Sequence, residues 1–146
     1  MSRRVSIVKA LAEIFKVIDG TSPYTTNLQN NSYAKLKFWD EIQDFPAVYI
    51  HPIGETRDYL PGNFVWGLLG VSVKVYVKSE DSSQEQLEQL LSDLEICIDA
   101  NRILKYDAIN QYSTTEIEIQ SITTDEGLLS PYAVGEINLQ VRYQIL

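Results

Sequence analysis

The sequence predicts an α+β fold, with two helices packed on one face of a mixed or antiparallel sheet of about four strands, in the order α-β-β-α-β-β. Three stretches carry that prediction. From Val71 to Lys78 the alternation is strict, with Val71, Val73, Val75 and Val77 on one face and Ser72, Lys74, Tyr76 and Lys78 on the other, the pattern of a half-buried strand. After the polar break Ser79-Glu80-Asp81 the period changes, and Leu87, Leu90, Leu91, Leu94, Cys97 and Ile98 fall on one stripe of a helix. The run from Glu136 to Ile145 alternates again over its whole length. Strands with one apolar face need a covering layer, and two amphipathic helices supply it.

The first of those helices is marked by Ile7, Val8, Leu11, Ile14, Phe15 and Ile18 at helical spacing, with Lys9, Glu13 and Lys16 on other faces and Gly20 placed to end it. From Thr21 to Asp44 no period survives. This stretch is rich in Ser, Thr, Asn and Tyr and is interrupted by Pro23 and Asn30-Asn31; it reads as a long loop of the kind that is functional or mobile. Phe38 and Trp39 are its candidate anchors, either covering a core edge or forming a binding contact. Pro46 to His51 predicts a short strand between prolines, apolar on both faces and so placed inside the sheet. Gly54 to Phe64 then reads as a hairpin connection, with Pro61-Gly62 signalling a type II turn and Tyr59, Leu60 and Phe64 projecting.

For the central helix, Ser82 with Glu85 three residues on predicts a capping box, and Asn101 suits a left-handed closing residue. Arg102 to Ser113 is a connection. Thr114 to Gln120 alternates with Ile117 and Ile119 inward; the parity slips at Ser121-Ile122, which predicts a bulge or a strand end. After the turn from Thr124 to Gly127, the last strand is expected to return antiparallel to this one.

At 146 residues the chain suits one domain, residues 1–146, with a real core and no need of staples. The net charge of −8 and the lack of a Lys/Arg cluster exclude generic affinity for nucleic acid or an anionic membrane. Cys97 is the only cysteine and lies on the helix stripe, so a buried, inert thiol is expected. The N-terminal segment has an apolar tone but is broken by Lys9, Glu13 and Lys16 and lacks a small-residue cleavage pattern, so it reads as mature helix rather than a leader. No run approaches the roughly 18 apolar residues of a spanning helix. A soluble protein made in a reducing compartment, with no membrane association, is the expectation.

No glycine-rich phosphate loop, Walker motif, CxxC pair, HExxH or nucleophile elbow occurs. His51 is the only histidine and lacks a partner at metal spacing, so neither a metal site nor a cofactor is expected. Asp125 and Glu126 could be paired as acid and base, but any acidic chain offers such pairs. The polar face of the sheet carries Lys74, Lys78 and Arg142 with Glu116, Glu118 and Glu136. It is either a solvated surface or a subunit interface made by charge complementarity. The hairpin residues Arg57, Tyr59, Leu60, Pro61 and Phe64 form a second candidate interface, because aromatic and Arg side chains dominate interface energetics and a proline turn loses little entropy on docking.

The segments DFPAVYI, GETRDYLPG, VKVYVKSED and TTDEGLLSPYAVGEI with the terminus QVRYQI, taken together and in this order, resemble the tail terminator, or tail completion, proteins of tailed bacteriophages. The similarity covers roughly the last two thirds of the chain; Thr21 to Asp44 matches no part of it. The resemblance implies a non-enzymatic virion protein that closes into a ring, typically a hexamer, on the last ring of the tail tube, stops tube polymerisation and supplies the surface that docks to the head or neck. Its implied partners are other copies of itself, the tail tube protein and a head-completion or neck protein, with DNA only as cargo passing through the channel. Its implied location is the head-proximal end of the tail, reached from the host cytoplasm during assembly. Two alternatives stand beside it: a head-tail connector or neck adaptor, and an oligomeric small-ligand-binding α+β domain.

Overall fold

The computed structural model describes residues 2–146 and shows an α+β architecture. Helix α1 (Arg3–Phe15) precedes the two-residue strand β1 (Ser32–Tyr33) and a single 3-10 turn at Trp39–Glu41; β2 (Ala47–Leu60) and β3 (Phe64–Lys78) form a long hairpin. Helix α2 (Ser83–Ala100) leads to the small hairpin β4 (Lys105–Asp107) and β5 (Tyr112–Ser113), and β6 (Glu116–Thr124) pairs with β7 (Tyr132–Gln144). The main sheet has five strands in the order β1-β2-β3-β7-β6. Among the described residues only the β1–β2 pair is parallel.

The core forms where the period-2 face of the sheet meets the helix stripes. Val71, Val73, Val75 and Val77 of β3 lie between Val48 and Ile50 of β2 and Ala133, Ile137, Leu139 and Val141 of β7, all buried. Above them pack Ile7, Leu11 and Phe15 of α1 and Leu87, Leu90, Leu91, Leu94, Cys97 and Ile98 of α2. Burial raises the Cys97 thiol pKa and so keeps it protonated.

Several expectations are corrected. Helix α1 ends at Phe15, not near Gly20. The backbone carbonyl of Ile18 accepts from Leu28 and Asp19 bridges Asn27, so this stretch makes tertiary bonds instead of further helix. Ser82 makes no capping bond from its side chain; Gln86 Nε2 engages its Oγ at 3.1 Å, and no capping box with Glu85 forms. Asn101 has φ −126° rather than a left-handed conformation. Its side-chain amide caps the helix by donating to the Cys97 carbonyl at 2.8 Å, which satisfies an orphan acceptor without the backbone reversal.

The strand expected over Pro46–His51 runs on to Leu60, with Pro52 inside it beside an irregularity at Ile53. A proline is tolerated there because, among the described residues, β2 has no strand on its outer side beyond Tyr49. The slip foreseen at Ser121 is a bulge between Ile119 and Ser121. Thr21 to Asp44 is largely irregular, as expected of a loop, and folds onto the body. Leu28 and Ile42 are buried, Asp93 of α2 accepts from the amides of Thr25 and Thr26 at 2.8–3.1 Å, and Tyr76 Oη donates to the Lys37 carbonyl at 2.5 Å. The segment's later part, around residues 37–42, thereby covers part of the second sheet face, where Ile42, Ala47, Tyr49 and Tyr76 form a small cluster. Trp39 tilts against Tyr132 at a centroid distance of 5.2 Å, while Phe38 stays 55% exposed.

Candidate assembly surfaces

The hairpin tip follows from register. Leu60 pairs with Phe64 across Pro61-Gly62-Asn63, and Gly62 takes φ +87°, as the third residue of a type II turn requires. In the ladder, Arg57 lies opposite Gly67, Asp58 opposite Trp66 and Tyr59 opposite Val65, so successive side chains alternate between faces. Leu60 and Phe64 share the face away from the helices with Trp66; Arg57 and Tyr59 take the helix-side face, beyond the point that the helices cover. Tyr59 is 69% exposed there, with Leu60 at 40% and Phe64 at 49% on the opposite side. The tip is therefore apolar on both faces.

Its base is anchored by a half-hidden acid. The Glu55 carboxylate is 8% exposed, accepts from Arg4 Nη1 at 3.2 Å and lies 3.9 Å from Arg57 Nε. Tyr143 Oη also donates to it. The Tyr143 ring lies close against Gly67, where a Cβ would meet it at 2.6 Å; any side chain at position 67 would push the ring away from Glu55. Burial first, and then the bond to Glu55, push the Tyr143 pKa up to about 12, which keeps the phenol a donor.

The sheet face away from the helices holds all the predicted charges, and most pair within the chain. Lys74 Nζ meets Glu136 at 2.5 Å, Arg102 grips Glu116 with Nε at 2.7 Å and Nη2 at 2.5 Å, and Arg142 reaches Asp58 at 3.6 Å while lying 5.0 Å above the Trp66 ring. Lys78 sits 5.2 Å over the Tyr132 ring. The Lys74 bond holds the Glu136 carboxyl below its ordinary pKa, and the Arg102 bond does the same for Glu116. Glu118 accepts from Gln120 Nε2 of the same edge strand at 3.2 Å. Asp58, Trp66 and Leu68 belong to this face but were not foreseen; extending the β3 alternation backwards from Val71 to Phe64 reveals Trp66 and Leu68, while Asp58 joins them only through its register opposite Trp66.

Ser72, His51 and Glu136 lie close together but do not form a catalytic relay. Ser72 Oγ is buried and donates to Glu136 at 2.8 Å, while His51 Nδ1 is buried without a partner; a nucleophile–base hydrogen bond is missing. Among the described residues no group of three or more His, Cys, Asp and Glu side chains is arranged to hold a metal, and no helix is long and apolar enough to cross a membrane.

A two-layer α+β unit with an anchored, exposed apolar hairpin and a sheet edge left open along most of β2 is the class of protein that the fold and its surfaces define. The chain belongs to the bacteriophage tail tube terminator protein family, whose model matches residues 1–146. It is 39% identical over 153 residues to the tail tube terminator protein p142 of Escherichia phage T5, across 99% of this chain and 95% of that protein. A chain in the virion of a native gene transfer agent particle shares the fold with a TM-score of 0.60 over 98% of this chain and 99% of its own, at 8% identity.

Proposed function

We propose that this structural tail terminator forms a ring, a hexamer by resemblance to its family, that caps the head-proximal end of the tail tube, ends tube polymerisation and offers a docking surface to a head-completion or neck protein. The observation that carries this reading is the hairpin Arg57–Phe64: a turn set by Pro61 holds Tyr59, Leu60 and Phe64 exposed beyond the helix layer, and such pre-set apolar tips dock at low entropic cost. We assign the hairpin to contact with the tube protein or a neighbouring subunit. The mixed-charge face of Lys74, Lys78, Glu116, Glu118 and Arg142 largely pairs its own charges, which favours the solvated reading over a subunit interface. The acidic balance suits a wall past which DNA moves without being held.

Tails assembled without this protein test the role. Tubes of uncontrolled length support termination, whereas tails of normal length with unattached heads favour the adaptor. For the hairpin, the double change Tyr59→Ala with Leu60→Ala is expected to leave the monomer's melting temperature within about 2 °C of the parent, the shift of a surface substitution, and to abolish assembly on tube ends. A lowered melting temperature with assembly retained overturns the docking role.

A further inference from the structure

The hairpin that carries the exposed tip is held by little backbone. Beyond Tyr49, β2 has no outer strand among the described residues and pairs only with β3. Strand β3 in turn loses its ladder with β7 past Trp66, where the last bonds join Val65 to Ile145 and Leu146. A two-stranded ribbon twists more than a sheet does and is marginal by itself. Leu60 lies five residues beyond Glu55, a lever of roughly 17 Å at about 3.3 Å per residue, so a rotation of about 10° at Glu55 carries the tip about 3 Å. Apolar contact holds only within about 4.5 Å, so such a shift breaks it.

A side-chain brace crosses the sheet at the base of this lever. Tyr143 of β7 lies opposite Gly67 of β3, and Glu55 of β2 lies opposite Leu69, on the same face. The Tyr143 hydroxyl donates to Glu55 Oε1, a reach of two strand spacings, about 9.5 Å. The path is open because Gly67 puts no side chain under the ring; a Cβ there would lie 2.6 Å from the ring and 3.1 Å from Glu55 Oε1. The other oxygen, Oε2, accepts from Arg4 Nη1 of α1 at 3.2 Å. Both anchors are themselves fixed. Tyr143 meets the Tyr106 ring edge-on at a centroid distance of 6.2 Å, and next to Arg4 the Arg3 Nη1 donates to the Gln144 and Ile145 carbonyls at 2.7 and 3.0 Å. One carboxylate, with both oxygens occupied, thus ties β2 across β3 to β7 and to the helix layer.

We infer that Glu55 and Tyr143 are positioning residues for the docking assigned to the hairpin above, a reading on which this inference rests: they set the angle at which residues 57–64 leave the sheet, and so where Tyr59, Leu60 and Phe64 meet a partner. Neither is open to that partner, since the Glu55 side chain is 8% exposed and Tyr143 is 2% exposed. Their effect on docking therefore runs through orientation alone. A buried carboxylate suits this use, because a charge-assisted hydrogen bond on each oxygen holds one geometry, where an apolar contact of similar size would allow several.

Hydrogen exchange and assembly, read on the same variants of the whole chain, test this. Tyr143→Phe removes the hydroxyl and keeps the ring. The amides that join residues 56–60 to residues 64–68 are expected to exchange at least about tenfold faster, while those of residues 71–77 stay within about twofold of the parent, which is the mark of local opening. The concentration for half-assembly on tube ends is expected to rise at least about tenfold with every tip side chain in place. Gly67→Ala displaces the same ring and is expected to act in the same way; should it fail to fold, Tyr143→Phe decides. Unchanged exchange at the hairpin in Tyr143→Phe overturns the brace. Equal acceleration of hairpin and core reduces it to general stability and overturns the positioning role, as does faster hairpin exchange with assembly unaltered. Normal assembly of the Tyr59→Ala, Leu60→Ala double variant overturns the docking reading and this role with it, and the exchange of Tyr143→Phe then shows separately whether the brace holds the hairpin.

Discussion

His51 faces Ser72 across the β2–β3 ladder, and its pKa is lowered from 6.5 by burial first, then by the Lys74 charge, with Glu136 opposing. The unfolded chain therefore binds this proton more tightly than the folded one, so stability is full above pH 6.5 and falls as pH drops toward the lowered folded value. Glu136 and Glu116, depressed below 4.5 by their bonds to Lys74 and Arg102, act in the same direction. Their contribution is present above pH 4.5 and is lost as pH falls through the folded values. Denaturant melts are expected to show two declines on acidification, and His51→Gln to remove the first while leaving the second. Asp93 is a second residue with leverage, since one buried carboxylate accepts two amides and two hydroxyls of Thr25 and Thr26. Asp93→Ala strands those donors and is expected to cost about 2–4 kcal/mol, with residues 21–31 becoming open to protease before the sheet does.

Among the elements, β3 is the axis of the fold: it pairs with β2 along one side and β7 along the other, and its inward valines meet the leucine stripe of α2. Leu91→Ala and Val75→Ala, both at positions with 2% exposure or less, are expected to destabilise by about 2–4 kcal/mol, the valine at the lower end, through lost transfer energy and a residual cavity. Denaturant melts measure this, and a loss below about 0.5 kcal/mol at both sites would place these side chains outside the core. This packing was legible because period and burial coincide over many residues. Helix ends were less legible. Ser82 and Glu85 have the right types and spacing for a capping box, yet Gln86 takes the Ser82 hydroxyl; competition among several nearby polar groups is settled by geometry that a spacing rule does not contain.

At the scale of the whole molecule, the polar sheet face is of mixed charge and the net charge is −8, so an association surface made there is weak and salt-sensitive. Exposed charges are screened beyond a Debye length, so the purified protein is expected to be monomeric or weakly associated when dilute, and its half-assembly concentration to rise between about 0.05 and 0.5 M salt. Mass photometry across that series checks it; a permanent, salt-insensitive dimer would contradict a charge-led contact. The hairpin tip exposes Tyr59, Leu60 and Phe64 rather than charges, and contacts made there should be less sensitive to salt.

Local pattern by itself determined the α+β class, the inward faces of β3, β6 and β7, the α2 stripe, the projecting turn at Pro61-Gly62 and the terminator resemblance. Each depends on neighbours in sequence or on a continuous run of residue types. Tertiary structure alone decided what joins residues far apart in the chain. It tied Thr25 and Thr26 to α2 through Asp93 and drew residues 37–42 onto the second sheet face through Tyr76, ended α1 early by pairing Ile18 with Leu28, carried β2 through Pro52 on an open edge, and inserted the last strand between β3 and β6. It also paired Arg142 with Asp58 and Arg102 with Glu116, turning a face of apparently free charges into one that is mostly satisfied. The physical reason is common to all of these: a hydrogen bond or ion pair depends on which groups the packed core brings within about 3 Å, and periodicity along the chain carries no information about that distance.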